Sequence, residues 1–590
     1  MKILHGYPPS KPLSRLRSLA ECFGVPVEYV RITDFGSLVC SLKEIEQHGA
    51  VVLDVESLAK LCHKNELQQL ASVLAGCTLS VMLLVTSGNE PECQFLQSAT
   101  NGAVQRAKPL PQAKTISFPA QPRRIIGELA SYSYSSDDRP GIGLATDVNC
   151  GPEVLMRVDQ SPSFVHTRIG NAVVFVWSTL DIFDVERPLR AEIEFETAAD
   201  QYVPLIIFLR FAFGNQCWHN PDPGGGIVID DPLLKKNYGF IKFPKLLESA
   251  RRDKYHVTLA FIPWNHWRSR AKNIRMFLDY SDCFGVCAHG CDHTNKEFGS
   301  ADYDWLLSKT FIASKRMERH FSRTALPSAP LMVLPQEQYS MEAMRAFADS
   351  RQFMGLVCTA CMPRNLAKPE MTAADLLLPA QDSFYGFPVF KRHYWKADMS
   401  TFAMSLFLGK PAILVEHHEF FRDGASGAEE FVRWLREVRP DVQWRPLIET
   451  VARTHARRRI AKGKWEVRFF TDLFYLEQKD EGTIEYRLIR RIPETVHVER
   501  VLVNGSEVSF SRENGYIIFD TYMSGPQAIS VQIEVAPIKP TKSYSPGLQY
   551  QTSVALRRGL SEFRDNVVAR NPIALRLATR VMKSIKQAAR

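Results

Sequence analysis

Gly224-Gly225-Gly226-Ile227-Val228-Ile229-Asp230-Asp231-Pro232 is the stretch from which the fold is read. Three glycines open a loop, three β-branched residues make a short buried strand, and two adjacent carboxylates stand where it ends. In α/β folds the C-terminal ends of parallel strands are where chemistry is mounted. Pro232 biases Asp231 toward an extended backbone, which helps to aim its side chain. Paired carboxylates of this kind are either a solvated turn or a metal ligand beside an acid/base group, and the second reading needs partners. Cys287-Ala288-His289-Gly290-Cys291-Asp292-His293 supplies them, again directly after an apolar run at 284–287.

Outward from these two stretches, strands and helices alternate between 223 and 459. Strands are expected at 227–229, 256–262, 284–287, 331–334, 355–358 and 412–415, and helices at 243–252, 301–320, 341–348 and 428–438. That order makes parallel strands with crossover helices, in an open sheet or a barrel. Residues 1–125 carry strand-like runs and a helical period from Leu58 to Leu74, a small βαβ domain of flavodoxin- or amidotransferase-like look. It has no G-x-G-x-x-G, P-loop or G-x-S-x-G elbow, so a non-catalytic role is expected there. Residues 126–222 read as a β-rich connector, with short strands at 153–158, 172–177 and 191–195 and a hairpin turn within 166–171. Period-two alternation over 460–537, with the turn Asn504-Gly505, reads as an antiparallel β-sandwich.

The net charge of +9 is concentrated in the tail: 551–590 holds nine Arg/Lys against two acids. A nearly neutral body gives no support to nucleic-acid binding. Residues 538–590 read as a linker and a basic helix with Ile573, Leu577, Val581 and Ile585 every four residues, suited equally to an anionic membrane surface, to docking on the rest of the chain or to a protein partner. The 12 cysteines show no small-domain framework, Cys358-x-x-Cys361 reads as ordinary thiols, and no run reaches bilayer length. A cytoplasmic protein, peripheral at the membrane at most, is the expectation.

His289 and His293, four residues apart, suit one ion, with Asp231 as a hard third ligand and Asp230 left free as a base. Pro411-Ala412-Ile413-Leu414-Val415-Glu416-His417-His418 adds a late strand ending in histidines. Together the three motifs resemble the polysaccharide deacetylases (carbohydrate esterase family 4, the NodB-homology fold) over about 226–455. The resemblance implies a distorted (β/α) barrel, Asp230 as base, Asp231, His289 and His293 holding a divalent metal, zinc foremost, and His417 or His418 as the acid. His417 ranks slightly ahead. It implies metal-assisted hydrolysis of an N-acetyl group on a sugar of a polysaccharide or glycoconjugate.

The chain departs from the family at Pro232, where Gly is usual, and at Gly290, where a hydroxyl residue is usual. Leu334-Pro335-Gln336 stands where an Arg-x-Pro is expected, so the arginine that steadies the base is expected to be missing. Trp264-Asn265-His266-Trp267 could line a sugar cleft, and Gln336 with it. Three rivals stand beside this reading: a structural zinc on Cys287, His289, Cys291 and His293; a metal-free glycoside hydrolase using Asp230 and Glu416; and a non-catalytic carbohydrate-binding or scaffold protein with a relic site.

Overall fold

The structure, a computed structural model, describes residues 1–45, 49–147, 151–364, 366–395, 399–542, 544 and 546–571. Its centre is a parallel barrel. Gly224–Asp230, Val257–Phe261, Phe284–His289, Ala329–Val333, Gly355–Cys358 and Val389–Lys391 pair side by side in chain order, and Ala412–Glu416 lies on the far side of Gly224–Asp230. His393 closes the ring: its amide donates to the Ile413 carbonyl and its own carbonyl accepts from Val415, both at 2.9 Å. The expected α/β barrel is therefore present, with a nine-stranded sheet before it in the chain and a two-sheet sandwich after it.

Alternation along these strands decides what faces the barrel axis. Val228, Ala260, Cys287, Val333, Val357, Phe390 and Ile413 form one buried interior cluster. Their neighbours Ile227, Ile229, Leu259, Val286 and Leu414 join the core between strands and helices. Leu447, Val451 and Phe470 belong to the interior cluster too, and Leu447 and Thr450 pack on Gly226 and Gly224 at the strand starts. That end of the barrel is filled, so a site can open only at the other. Because side chains alternate with period two, residues two beyond the interior set continue it upward. Val228 leads to Asp230, Cys287 to His289, Phe390 to Arg392, and Ile413 through Val415 to His417.

The N-terminal strands Glu28–Arg31, Lys2–His5, Ala50–Asp54 and Ser80–Val85 are parallel in the order 2-1-3-4, the flavodoxin-like order. The sheet does not stop at residue 125. Ala172–Ser178 adds parallel to Ser80–Val85, and Ser161–Ile169, Glu153–Val158, Val104–Ser117 and Ser133–Thr146 extend the same sheet to nine strands. The expected connector thus supplies the continuation of that sheet. The hairpin turn at Gly170-Asn171 is as expected, joining Ile169 to Ala172. Residues 191–195 are not a strand, and Val203–Phe213 is a helix, buried over its first seven residues, where β texture was expected. A run such as Val203-Pro204-Leu205-Ile206-Ile207-Phe208-Leu209, apolar on every side, carries no period to tell helix from strand.

The C-terminal sandwich stands as expected, five strands facing four over a core that includes Trp465, Phe469, Phe474, Tyr486 and Phe519. Beyond it, Leu548–Phe563 is helical and runs into a π-type turn at Arg564–Val568. The stripe Ile573, Leu577, Val581 and Ile585 lies outside the described residues. Among the described residues no helix is long and apolar enough to cross a membrane.

Candidate active site

Asp231, His289 and His293 converge at the open end of the barrel, their ligand atoms all within 4.8 Å of one another. Asp231 Oδ1 lies 3.1 Å from His293 Nε2 and 3.6 Å from His289 Nε2, and has no hydrogen-bond partner although it is buried. His289 Nδ1 donates to the Val333 carbonyl at 3.1 Å, which fixes the proton there and leaves the Nε2 lone pair facing Asp231. Burial pushes the His289 pKa down to about 4, with His293 and Arg392 adding to the effect, so the ring is neutral near pH 7. An orphaned carboxylate oxygen between two imidazoles, one aimed by a carbonyl, is the donor set a zinc-like ion takes. These residues fit the metal that the sequence implied.

The backbone here is unusual. Asp231 sits at φ +77° and His293 at +56°, with Gly290 at +62° between the histidines. Pro232 therefore does not hold Asp231 extended; the chain turns left-handed immediately after the strand. Left-handed conformations in side-chain residues cost of order 1–2 kcal/mol each and cluster at functional sites. The loop is held by Glu297, fully buried, whose carboxylate accepts the amides of Cys291, Asp292 and His293 at 3.1, 2.7 and 3.0 Å. Lys309, on the helix Tyr303–Thr324 that Asp302 caps, neutralises Glu297 at 2.6 Å and Asp292 at 3.1 Å.

That carboxylate explains Gly290. A Cβ there would stand 2.5 Å from Glu297 Oε2 and 2.8 Å from Pro335 Cγ, on a backbone already left-handed. The backbone-binding carboxylate occupies the space a hydroxyl side chain would need. Gly290→Ala should destabilise the protein by about 1–3 kcal/mol, seen as a lower urea midpoint, and weaken zinc binding with it. An unchanged midpoint would show that the loop can open without cost.

Asp230 is the residue whose arginine was expected to be missing. It is not: Arg392, from the end of Val389–Lys391, donates Nη1 to Asp230 Oδ1 at 2.8 Å, with Arg392 and Asp230 only 1% and 3% exposed. Burial raises the Asp230 pKa, but Arg392, His289 and His417 outweigh it and hold the carboxyl below its ordinary value. The barrel supplies the cation from a different strand than the motif predicted. Gln336 lines the cavity, at φ +57°, and its Oε1 accepts the Lys296 amide at 3.2 Å.

His417 and His418 both line the cavity of about 560 Å³ above Asp230 and Asp231. His417 continues the interior register and stacks on Tyr394 at 6.2 Å between ring centroids. His418 turns the other way, under Tyr238 and 3.4 Å from Asp565. Asp565 belongs to the C-terminal segment, which the sequence reads as a linker and basic helix with docking on the rest of the chain as one of its options. Residues 548–570 cover one side of the cavity, anchored by Tyr238 to Asp565 at 2.7 Å, by Lys235 and Arg268 to Glu562, and by Tyr550 to Asp292 at 2.8 Å.

The remaining candidates are elsewhere. Trp264 stacks under Arg316, Asn265 is buried and accepts from Arg268 at 3.3 Å, and Trp267 is half exposed; none of them lines this cavity. Cys287 packs in the barrel interior and Cys291 receives Arg316, so the four-residue Cys/His set does not meet at one point. Glu416 accepts the Trp395 amide at 3.1 Å, does not line the cavity, and is raised to about 7 by burial. Cys358 and Cys361 are free and buried.

No family model and no curated protein matches the chain. Among solved structures it is similar to Agd3, described as a novel carbohydrate deacetylase, at 9% identity and a TM-score of 0.42 over 91% of this chain and 99% of that one. It is also similar, over 38% of its length, to a putative polysaccharide deacetylase from Mycobacterium smegmatis (14% identity, 89% of that chain, TM-score 0.25). The same share is similar to the peptidoglycan deacetylase PdaC from Bacillus subtilis (12% identity, 87% of that chain, TM-score 0.23). The solved structures that this chain is similar to thus include carbohydrate and peptidoglycan deacetylases.

Proposed function

We propose that the protein hydrolyses the acetamido group of an N-acetylated sugar in a polysaccharide or glycoconjugate, releasing acetate and the free amine. The observation that carries this reading is the convergence of Asp231, His289 and His293 beside a buried Asp230–Arg392 pair at the open end of the barrel. A zinc-like divalent ion held by the triad would supply Lewis acidity toward the acetamide and make a nearby water more acidic. Asp230, kept ionised by Arg392, takes the proton of the attacking water. His417, stacked on Tyr394 across the cavity, gives a proton to the nitrogen as the C–N bond breaks. The interior register favours His417 over His418 for this role. Buried free thiols support a cytoplasmic location.

The test is acetate release by zinc-loaded protein from N-acetylglucosamine and N-acetylgalactosamine oligomers. Asp230→Asn should keep its metal and lose roughly 10²–10⁴-fold in rate. No release from any oligomer, or equal rates with Asp230→Asn, would overturn the reading.

A further inference from the structure

The cavity has a wall that the barrel does not make. Leu548–Phe563 and the turn after it bring Arg557, Arg558 and Arg564 against the space above Asp231. Most charges there are matched within the protein. Arg392 reaches Asp230 at 2.8 Å and Glu337 at 3.5 Å, Arg564 donates to Asp565 at 2.6 Å, and Glu419 lies 3.3 Å from His418. Arg557 and Arg558 are different: among the described residues neither has a carboxylate within ion-pair distance.

Arg558 is 8% exposed, and its Nε is buried with no partner. Its Nη2 reaches only Ser561 Oγ at 3.3 Å and His293 Nδ1 at 3.5 Å. Asp231 attracts Arg558 without an ion-pair contact, burial of the guanidinium outweighs that attraction, and a second guanidinium on the adjacent residue adds repulsion. An anion from outside, received by the two forks, removes both penalties. Guanidinium forks match the paired oxygens of carboxylate and phosphate.

We propose that Arg557 and Arg558 form an anion subsite, and that the N-acetylated substrate carries a carboxylate or phosphate on the same or the adjoining ring. The contact between Arg558 and His293 sets that short reach. The substrate's identity rests on the hydrolase reading above; the subsite does not.

Titration calorimetry on the zinc-loaded full chain tests it with three probes: N-acetylglucosamine, N-acetylmuramate and N-acetylglucosamine 6-phosphate. The expected result is binding at least about tenfold tighter for an anionic sugar than for the neutral one, reduced by added salt. Which anionic sugar wins identifies the group. In R557Q and in R558Q the preference should shrink severalfold, and R558K should keep more of it than R558Q. Arg557 is half-buried, so R557Q reads the subsite even where R558Q fails to fold. Equal affinity for all three probes, no binding of any, or a preference intact in R557Q and R558Q overturns the proposal. Acetate release from the same sugars separates the two readings. Release without discrimination keeps the hydrolase and removes the subsite, whereas discrimination in binding without release does the reverse.

Discussion

Replacing Asp231 by alanine is expected to empty the protein of its divalent ion while the barrel stays folded. The wild type should purify with, or take up, close to one zinc per chain, and D231A should hold a small fraction of that. Losing an outer-shell partner of a ligand typically costs about 10–100-fold in metal affinity, and losing the anionic ligand costs more. Asp231 contributes in a second way. Burial opposes its ionisation, but His293, His289 and Arg558 overcome that and hold its carboxyl well below the ordinary range. It is therefore an anion across the whole range in which the protein would work. His293→Ala should lose the ion as well, because His293 Nε2 is the nearest group to Asp231 Oδ1 at 3.1 Å. Elemental analysis of purified wild type, D231A, H293A, C287A and C291A decides the matter. Zinc kept by D231A and lost by a cysteine variant would move the metal to the Cys/His set. No zinc in any of them would remove the metal from the chemistry altogether.

Both variants are expected to remain folded because the barrel's stability resides below the site. Val228, Cys287, Phe390 and Ile413 fill the interior, and Leu447, Val451 and Phe470 close its base. Alanine at residue 231 keeps the strained φ and leaves the interior packing untouched, so the metal-free protein should lose only the charge interactions of Asp231 and still unfold in one cooperative urea transition.

How much of this was legible in the sequence follows from the length and period of each element. Ile227-Val228-Ile229 followed by two carboxylates, and the apolar run before His289, are strong local signals, and they pointed to Asp231, His289 and His293, whose ligand atoms the structure brings together. Val389–Lys391 is three residues long and has no period to detect, so Arg392 and the cation of Asp230 went unseen. The interior register offered one clue: Phe390 is apolar and Arg392 follows two residues later, the same step that joins Val228 to Asp230. The sheet that crosses residue 125 was hidden for another reason. Strands at 153–158 and 172–178 join one sheet with Ser80–Val85 through non-local pairing, which composition does not encode. The C-terminal segment reads as a basic helix that docks on a membrane, a partner or the chain itself, with nothing to say where. Its contacts with Asp292, Tyr238 and Gly239 join residues more than two hundred positions apart, beyond any sequence spacing rule. Trp264 and Trp267 were drawn toward the substrate by their type alone, and the structure has them around Arg316 and at the surface.

The Asp230–Arg392 pair makes a prediction in which stability and chemistry move together. Both side chains are almost fully buried, so removing one leaves the other charged without a partner, which typically costs about 3–5 kcal/mol. R392A should therefore lower the free energy of unfolding by that order and the rate of acetate release by roughly a hundredfold or more. The sign of the pH effect follows from what is removed. In the wild type the Asp230 carboxyl is depressed, so its contribution to stability is present above the ordinary carboxylate value and lost only as pH falls through the folded one. Without Arg392, burial dominates and the folded value rises above the ordinary one. Asp230 then costs stability while it is ionised and recovers it on protonation. The penalty of R392A should accordingly be larger near pH 8 than near pH 5, and the acid limb of the rate profile should move to higher pH. R392M/D230N, with neither charge, should regain most of the stability and none of the activity. Urea titrations of wild type, R392M, D230N and R392M/D230N at the two pH values give the coupling directly. A penalty that does not change with pH, or a double variant no more stable than R392M, would mean that Arg392 serves packing and not the charge of Asp230.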